Sequence, residues 1–123
     1  MTPGETASDF VESLREGSII SPKAYADRMQ LSLARLAELA DVPLQAVMQD
    51  THSDELQDYM RGAVSVIATL LELNGGNVDR AISWFRNAPL EELGGGTAES
   101  FVASGKAKLA RDYVRNLAGG ATG

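Results

Sequence analysis

The chain has 123 residues, of which 44% are hydrophobic, and it contains no cysteine. This length fits one compact domain or two small helical units that share a core, and the lack of cysteine excludes disulfides and thiolate metal sites. The formal net charge of −6 disfavours non-specific nucleic-acid binding, because phosphate contacts dominate that affinity.

The first residues, MTPGETASDF, lack the basic start and apolar middle of a signal peptide, and every apolar run is too short to cross a membrane. A cytoplasmic location is therefore expected. Residues 1–18 form an N-terminal segment, in which Phe10 and Leu14 predict a short helix that ends near Gly17. The chain contains no alternation of polar and apolar residues long enough to predict a strand, so an all-α fold is expected.

Residues 19–52 have the pattern of a helix-turn-helix unit. Ser21 and Pro22 predict a helix start, as N-cap and first helical residue. A second helix, capped by Ser32, is followed by a turn at Asp41 and by Pro43, where a third helix begins. The side chains predicted to face the core are Tyr25, Ala26, Met29, Leu33, Leu36, Ala37, Ala40, Leu44 and Val47.

Residues 53–76 predict one long connecting helix, because apolar residues from Leu56 to Leu71 follow a continuous helical stripe. Residues 77–123 form the last unit. Asn77 is expected to cap a helix in which Phe85 belongs to the core and Trp84 lies at the edge of the apolar stripe.

The glycine-rich stretch GGGTAESFVASGK, residues 94–106, raises the question of a phosphate-binding loop. Such a loop needs Gly where the chain has Ser100, and a hydroxyl where it has Ala107. The glycines are therefore interpreted as boundaries between helices, with Thr97 capping a short helix that Gly105 ends. A final helix is expected over about residues 106–118.

The remaining candidates for catalysis or metal binding are weak. His52 is the only histidine and lies in a predicted loop, and the carboxylates at the start of the long helix suit the helix dipole. Neither a nucleophile–base pair nor a metal-binding cluster is visible in the sequence. The protein is therefore predicted to be no enzyme and to need no cofactor or metal.

DNA binding is a further candidate for the helix-turn-helix unit. Gln45 and Gln49 of the predicted recognition helix can contact adenine in the major groove, but this helix has no Lys or Arg. Phosphate contacts would have to come from Lys23, Arg28 and Arg35. A DNA-binding unit and a packing unit with little DNA affinity both remain open.

The charges predict a binding surface at the C-terminal end. Residues 1–92 carry a net charge of −8, whereas residues 93–123 carry +2. In the final helix, Ala110, Tyr113, Val114 and Leu117 are expected to face the core, and Lys108, Arg111 and Arg115 to lie on the opposite face. These cations precede a tail of small residues that can enter a narrow cleft, where the arginines could pair with carboxylates.

Residues 81–123 resemble the toxin-binding domain of the Xre/MbcA/ParS-type antitoxins. The matching positions are Ala81, Trp84, Phe85, Pro89, Leu93, Gly94, Thr97, Gly105 and either Gly119 or Gly120. Phe85 replaces a Leu of the family pattern and Ala98 replaces a Pro. The helix-turn-helix pattern upstream agrees with the domain order of this family.

The resemblance implies an antitoxin that forms a homodimer and neutralises a RES-domain toxin, an enzyme class that depletes NAD. The C-terminal helix and tail would obstruct the toxin's active-site cleft, and the helix-turn-helix unit would bind the operon's own promoter. The positions to which the resemblance and the charges assign toxin binding are Lys108, Arg111, Arg115, Asn116, Leu117, Gly119 and Gly120. A stand-alone dimeric transcription regulator without a toxin partner is the alternative.

Overall fold

The computed structural model describes residues 4–122, with side chains for residues 4–117. These residues form eight α-helices, one short 3₁₀-helix and one two-stranded sheet, so the expectation of a mainly helical chain is confirmed. The elements are α1 (Ala7–Ser13), β1 (Arg15–Glu16), β2 (Ile19–Ile20), α2 (Pro22–Met29), α3 (Leu33–Ala40), α4 (Leu44–Gln49), α5 (Asp54–Asn74), α6 (Val78–Asn87), the 3₁₀-helix (Glu91–Leu93), α7 (Ala98–Ala103) and α8 (Ala107–Thr122).

Four predicted N-caps are confirmed, at Ser21, Ser32, Asn77 and Thr97. Each side-chain oxygen accepts a hydrogen bond from the backbone N–H three residues later, which satisfies one of the free donors at a helix start. Asp41 ends α3 in the left-handed conformation, with φ of 57°, as the sequence predicts. Local signals therefore place most helix ends.

The long helix α5 is the centre of the fold. It packs against α1, α3, α6, α7 and α8, and it buries the apolar residues that its sequence stripe predicts. One hydrophobic cluster connects Phe10 of α1 to Val114 of α8 through this helix. Among residues 4–122, none of the helices combines the length and the apolar composition that crossing a bilayer requires.

The sheet was not expected from the sequence. Its two strands pair antiparallel, and each has only two residues, too short to show an alternating pattern. The side chain of Gln57 in α5 holds β2 in place. Its amide oxygen accepts a hydrogen bond from the N–H of Ile20 at 3.0 Å, and its amide nitrogen donates to the carbonyl oxygens of Ile20 and Thr51 at 2.9 and 2.8 Å.

Two predicted helix ends were wrong. The first helix ends at Ser13, before the hairpin, rather than near Gly17. The last helix continues through Thr122 rather than ending near residue 118. The small residues that follow Leu117 are therefore helical in their backbone path and do not form an extended tail over the range the structure describes.

Candidate partner-binding surfaces

Helix α8 is anchored against α5 and runs in the same direction. Ala110 and Val114 are fully buried. At the start of α8, Ala107 lies so close to α5 that a Cβ atom placed on Gly62 would be 2.9 Å from the Ala107 Cβ atom. One turn further along both helices, Arg111 contacts Ser65. The first two turns of α8 therefore belong to the folded core.

The prediction that Arg111 lies on the outer face of α8 was wrong. Its guanidinium is partly buried and donates a hydrogen bond to the hydroxyl oxygen of Ser65 at 3.1 Å. On a helix Arg111 is roughly 60° from Val114, so it lies at the edge of the buried stripe. This hydrogen bond attaches α8 to α5.

Lys108 and Arg115 are exposed as predicted, and both are close to one carboxylate. The ammonium of Lys108 is 2.8 Å from an oxygen of Asp112, and the guanidinium of Arg115 is 4.0 Å from the other. The hydrogen bond from Lys108 is the main cause that lowers the pKa of Asp112. Exposed ion pairs of this kind hold their side chains only weakly, so both cations stay accessible to a partner.

The predicted apolar face of α8 is buried at Ala110 and Val114 but exposed at Leu117. Leu117 was expected to face the core, but 44% of it is exposed, and Asn116 beside it is exposed as well. Gly119 and Gly120, the other two residues assigned to toxin binding, lie outside the residues whose side-chain surroundings are described. Arg115, Asn116 and Leu117 thus form an accessible surface directly after the buried Val114.

Tyr113 links α8 to the 3₁₀-helix. Its hydroxyl donates a hydrogen bond to the carboxylate of Glu92. This bond lowers the pKa of Glu92 and raises the pKa of Tyr113, because it stabilises the carboxylate and the neutral phenol. The pair is 21 residues apart in the chain, and no sequence pattern points to it.

The surface of α4 is more apolar than the sequence predicted. Gln45 and Gln49 are exposed, and the amide nitrogen of Gln45 donates to the amide oxygen of Gln49 at 3.2 Å. Val47 is buried as expected. The prediction that Leu44 faces the core was wrong, because Leu44 is 44% exposed and Met48, one turn later, is 59% exposed.

The three predicted phosphate contacts have different surroundings. Lys23 is exposed on α2, and Arg35 is exposed on α3. The assignment of Arg28 to phosphate contacts stays a prediction, but this side chain already has partners within the chain. Its guanidinium is 2.8 Å from the carboxylate of Glu5 and lies over the ring of Phe10, so it attaches the N-terminal segment to α2.

A buried polar cluster lies where α2, α5, α6 and α7 meet. The rings of Tyr25 and Tyr59 pack edge to face with centroids 6.3 Å apart, and neither hydroxyl has a hydrogen-bond partner of regular geometry among the described residues. Nearby, Arg86 of α6 is 3.7 Å from the carboxylate of Glu99 in α7. No sequence pattern predicts this cluster, since its members are far apart in the chain and each has an ordinary local pattern.

Burial explains the titration of this cluster. Loss of water around the hydroxyls is the main cause that raises the pKa of both tyrosines. Burial also raises the pKa of Glu99, although the charges of Arg86 and Arg35 act in the opposite direction. The two tyrosine hydroxyls are closed to solvent, unlike the ends of α4 and α8.

The two aromatic residues of α6 differ in burial as the sequence predicts. Phe85 is fully buried, whereas Trp84 is half-buried and lines a groove of about 480 Å³ together with Leu70 of α5. His52 is exposed. Within residues 4–117, no group of three or more His, Asp and Glu side chains is arranged to hold a metal ion.

Comparison with known proteins gives no match to any family model and no significant similarity to a curated protein. The resemblance of residues 81–123 to antitoxins therefore stays a prediction from the sequence.

Proposed function

We propose that the protein is a cytoplasmic antitoxin that acts by binding a RES-domain, NAD-depleting toxin and covering its active-site cleft with the end of α8. The observation that carries this proposal is the accessible surface of Arg115, Asn116 and Leu117, which follows directly on the buried Val114. The resemblance of residues 81–123 to toxin-binding domains supplies the class of partner.

The anchoring of α8 gives this surface a physical advantage. Binding by a flexible tail costs conformational entropy when the tail becomes ordered, and a helix that is already docked avoids part of that cost. Leu117 offers an apolar contact, and Arg115 can form a bidentate pair with a carboxylate of the toxin. Arg111 has a positioning role in this proposal, because its bond to Ser65 fixes α8 on α5.

We also propose that the antitoxin is a homodimer. Leu73 at the end of α5 is 49% exposed, and the neighbouring groove is lined by Leu70 and Trp84. An exposed apolar surface of this kind is typical of an interface between subunits. Light scattering coupled to size-exclusion chromatography should give twice the mass of 13.1 kDa, and Leu73→Glu should shift it toward the monomer.

The direct test of the antitoxin proposal is co-expression with a RES-domain toxin of the same genome. The full chain should restore growth, whereas Arg115→Glu, Leu117→Asp and removal of residues 117–123 should not. Arg61→Glu is the matched control, since Arg61 is also exposed and pairs with a carboxylate one turn away, but on α5. Full protection by the truncated protein would contradict occlusion by the end of α8.

A stand-alone transcription regulator has less support from the described residues than an antitoxin has. A helix-turn-helix assignment is supported by the left-handed Asp41 between α3 and α4 and by the exposed Gln45 and Gln49. However, Arg28 is engaged with Glu5, and exposed leucine and methionine side chains occupy much of the face that would meet DNA. These contacts disfavour promoter binding through this face.

A further inference from the structure

The exposed face of α4 carries an apolar ridge. Leu44 and Met48 are one turn apart, so their side chains lie next to each other on the helix. Met48, at 59%, is the most exposed of the large hydrophobic side chains in the described part of the chain. Two adjacent apolar side chains on a six-residue helix are costly to leave in water, which points to a partner that covers them.

Grooves flank this ridge on both sides. One groove, of about 420 Å³, lies between α3 and α4 and is bordered by Leu44. The other, of about 200 Å³, lies between α4, the hairpin and α2 and is bordered by Met48. A ridge between two grooves can interdigitate with the side chains of another helix, as ridges and grooves do in helix packing.

The charges around the ridge are mainly negative. Glu38 and Asp41 line the groove beside α3, and Glu16 lines the other groove, where Lys23 is the single cation. Asp50 follows directly at the end of α4 and is exposed. Within the described residues, none of these four carboxylates forms a salt bridge, so their charge is available to a partner.

We propose that the α4 surface, defined by Leu44, Met48 and the two flanking grooves, is a docking site for a basic amphipathic helix of a partner protein. Apolar side chains of that helix would cover the ridge, and its Lys or Arg residues would meet Glu16, Glu38 and Asp41. This site lies apart from the end of α8 and does not depend on the proposed antitoxin function.

The same observations disfavour two other occupants. DNA phosphates would approach unpaired carboxylates, and counterion release favours binding only where cations meet the backbone. A second copy of this chain that docked through the same α4 surface would bring two acidic rims together, which costs free energy. A basic partner is the occupant for which both the apolar and the electrostatic contributions are favourable.

The test is a titration of the ¹⁵N-labelled full chain, followed by amide chemical shifts. The first probe is a synthetic helix of about 18 residues, five turns, with Leu on one face and Lys on both sides of that face. The second has Glu in place of Lys, and the third is a DNA duplex of roughly 20 base pairs, about two helical turns. We expect that, of the three probes, only the Lys peptide changes the amide chemical shifts of α4 and of the residues that line its grooves. Its affinity should fall as the salt concentration rises.

Variants separate the apolar contribution to binding of the Lys peptide from the electrostatic contribution. Leu44→Ser with Met48→Ser should weaken binding of the Lys peptide about tenfold or more, because the apolar contact is lost. Glu38→Gln with Asp41→Asn should weaken it and reduce the salt dependence, and Asn keeps the left-handed conformation that position 41 requires. Leu109→Ser is the control, since Leu109 is exposed to a similar degree but lies on α8. Circular dichroism establishes that each variant is folded.

Three results would overturn the proposal. In the first, DNA changes the amide chemical shifts of α4 and displaces the Lys peptide. In the second, the amide chemical shifts of α4 change when the concentration of the protein alone is raised. In the third, the Lys peptide leaves the amide chemical shifts of α4 unchanged. The first would make the surface a nucleic-acid site, and the second would make it an interface between copies. None of these results bears on neutralisation of a toxin by α8, so the two proposals fail independently.

Discussion

Gly62 is the position at which α8 comes closest to α5, and Gly62→Ala tests that contact. An added Cβ atom would lie 2.9 Å from the Cβ atom of Ala107 and 3.0 Å from a methyl carbon of Val102. Both distances are too short for van der Waals contact, so α7 and α8 would have to move. Overpacking of this kind costs about 1–3 kcal/mol, whereas replacing Gly by Ala inside a helix contributes about 1 kcal/mol of stability. We expect a net loss of about 1 kcal/mol.

Urea denaturation followed by the fluorescence of the single tryptophan, Trp84, measures this loss. Hydrogen exchange should show that the protection of α8 falls more than that of α3. The compensating variant Gly62→Ala with Ala107→Gly removes the shorter of the two contacts. Its loss of stability should therefore be smaller than the sum of the two single changes. A Gly62→Ala protein that is as stable as the original, with α8 fully protected, would refute the close packing of α5 and α8.

Other predictions concern the buried polar groups. Tyr25→Phe removes a buried hydroxyl that has no hydrogen-bond partner of regular geometry among the described residues, so we expect thermal or urea unfolding to show equal or higher stability, by up to about 1 kcal/mol. A clear loss of stability would show that this hydroxyl is bonded in the native state. Burial raises the pKa of Glu99 above its usual 4.5, so the native state binds more protons than the unfolded state. Stability should therefore fall as pH rises from the pKa of the unfolded state through that of the native state. Glu99→Gln should remove this dependence, so in urea titrations its stability relative to the original protein should increase as pH rises above the usual pKa of a carboxyl. A difference in stability that is constant with pH would contradict the assignment. Gln57→Leu leaves the N–H and carbonyl of Ile20 without their side-chain partner. We therefore expect the free energy of unfolding in urea to fall by about 3 kcal/mol. An unchanged stability would show that the hairpin does not depend on α5.

The sequence by itself determined the local features of the fold. Ser32 and Thr97 could be assigned as caps because a cap bonds to a backbone N–H only three residues away. The apolar stripe of α5 could be found because the helical period determines which residues share a face. Each of these signals needs only a few consecutive residues, and none requires knowledge of what packs on the helix.

The candidate binding surfaces were only partly predictable. The sequence located the exposed cations Lys108 and Arg115, but it misplaced Arg111 and Leu44. A helical pattern defines a stripe only to within about one residue position, and residues at its edge become buried or exposed according to the neighbouring helix. Arg111 is held because α5 offers Ser65 at that point. Leu44 is exposed because, in the part of the chain that the structure describes, no element covers that side of α4.

Tertiary structure alone decided the contacts between distant residues. Gln57 holds Ile20 across 37 positions, and Arg111 reaches Ser65 across 46. The cluster of Tyr25, Tyr59 and Glu99 likewise exists only because separate helices meet there. A polar side chain has the same local pattern whether it faces water or a partner in the core. Its role is therefore decided by the packing of elements far apart in the chain, which no local stretch of sequence specifies.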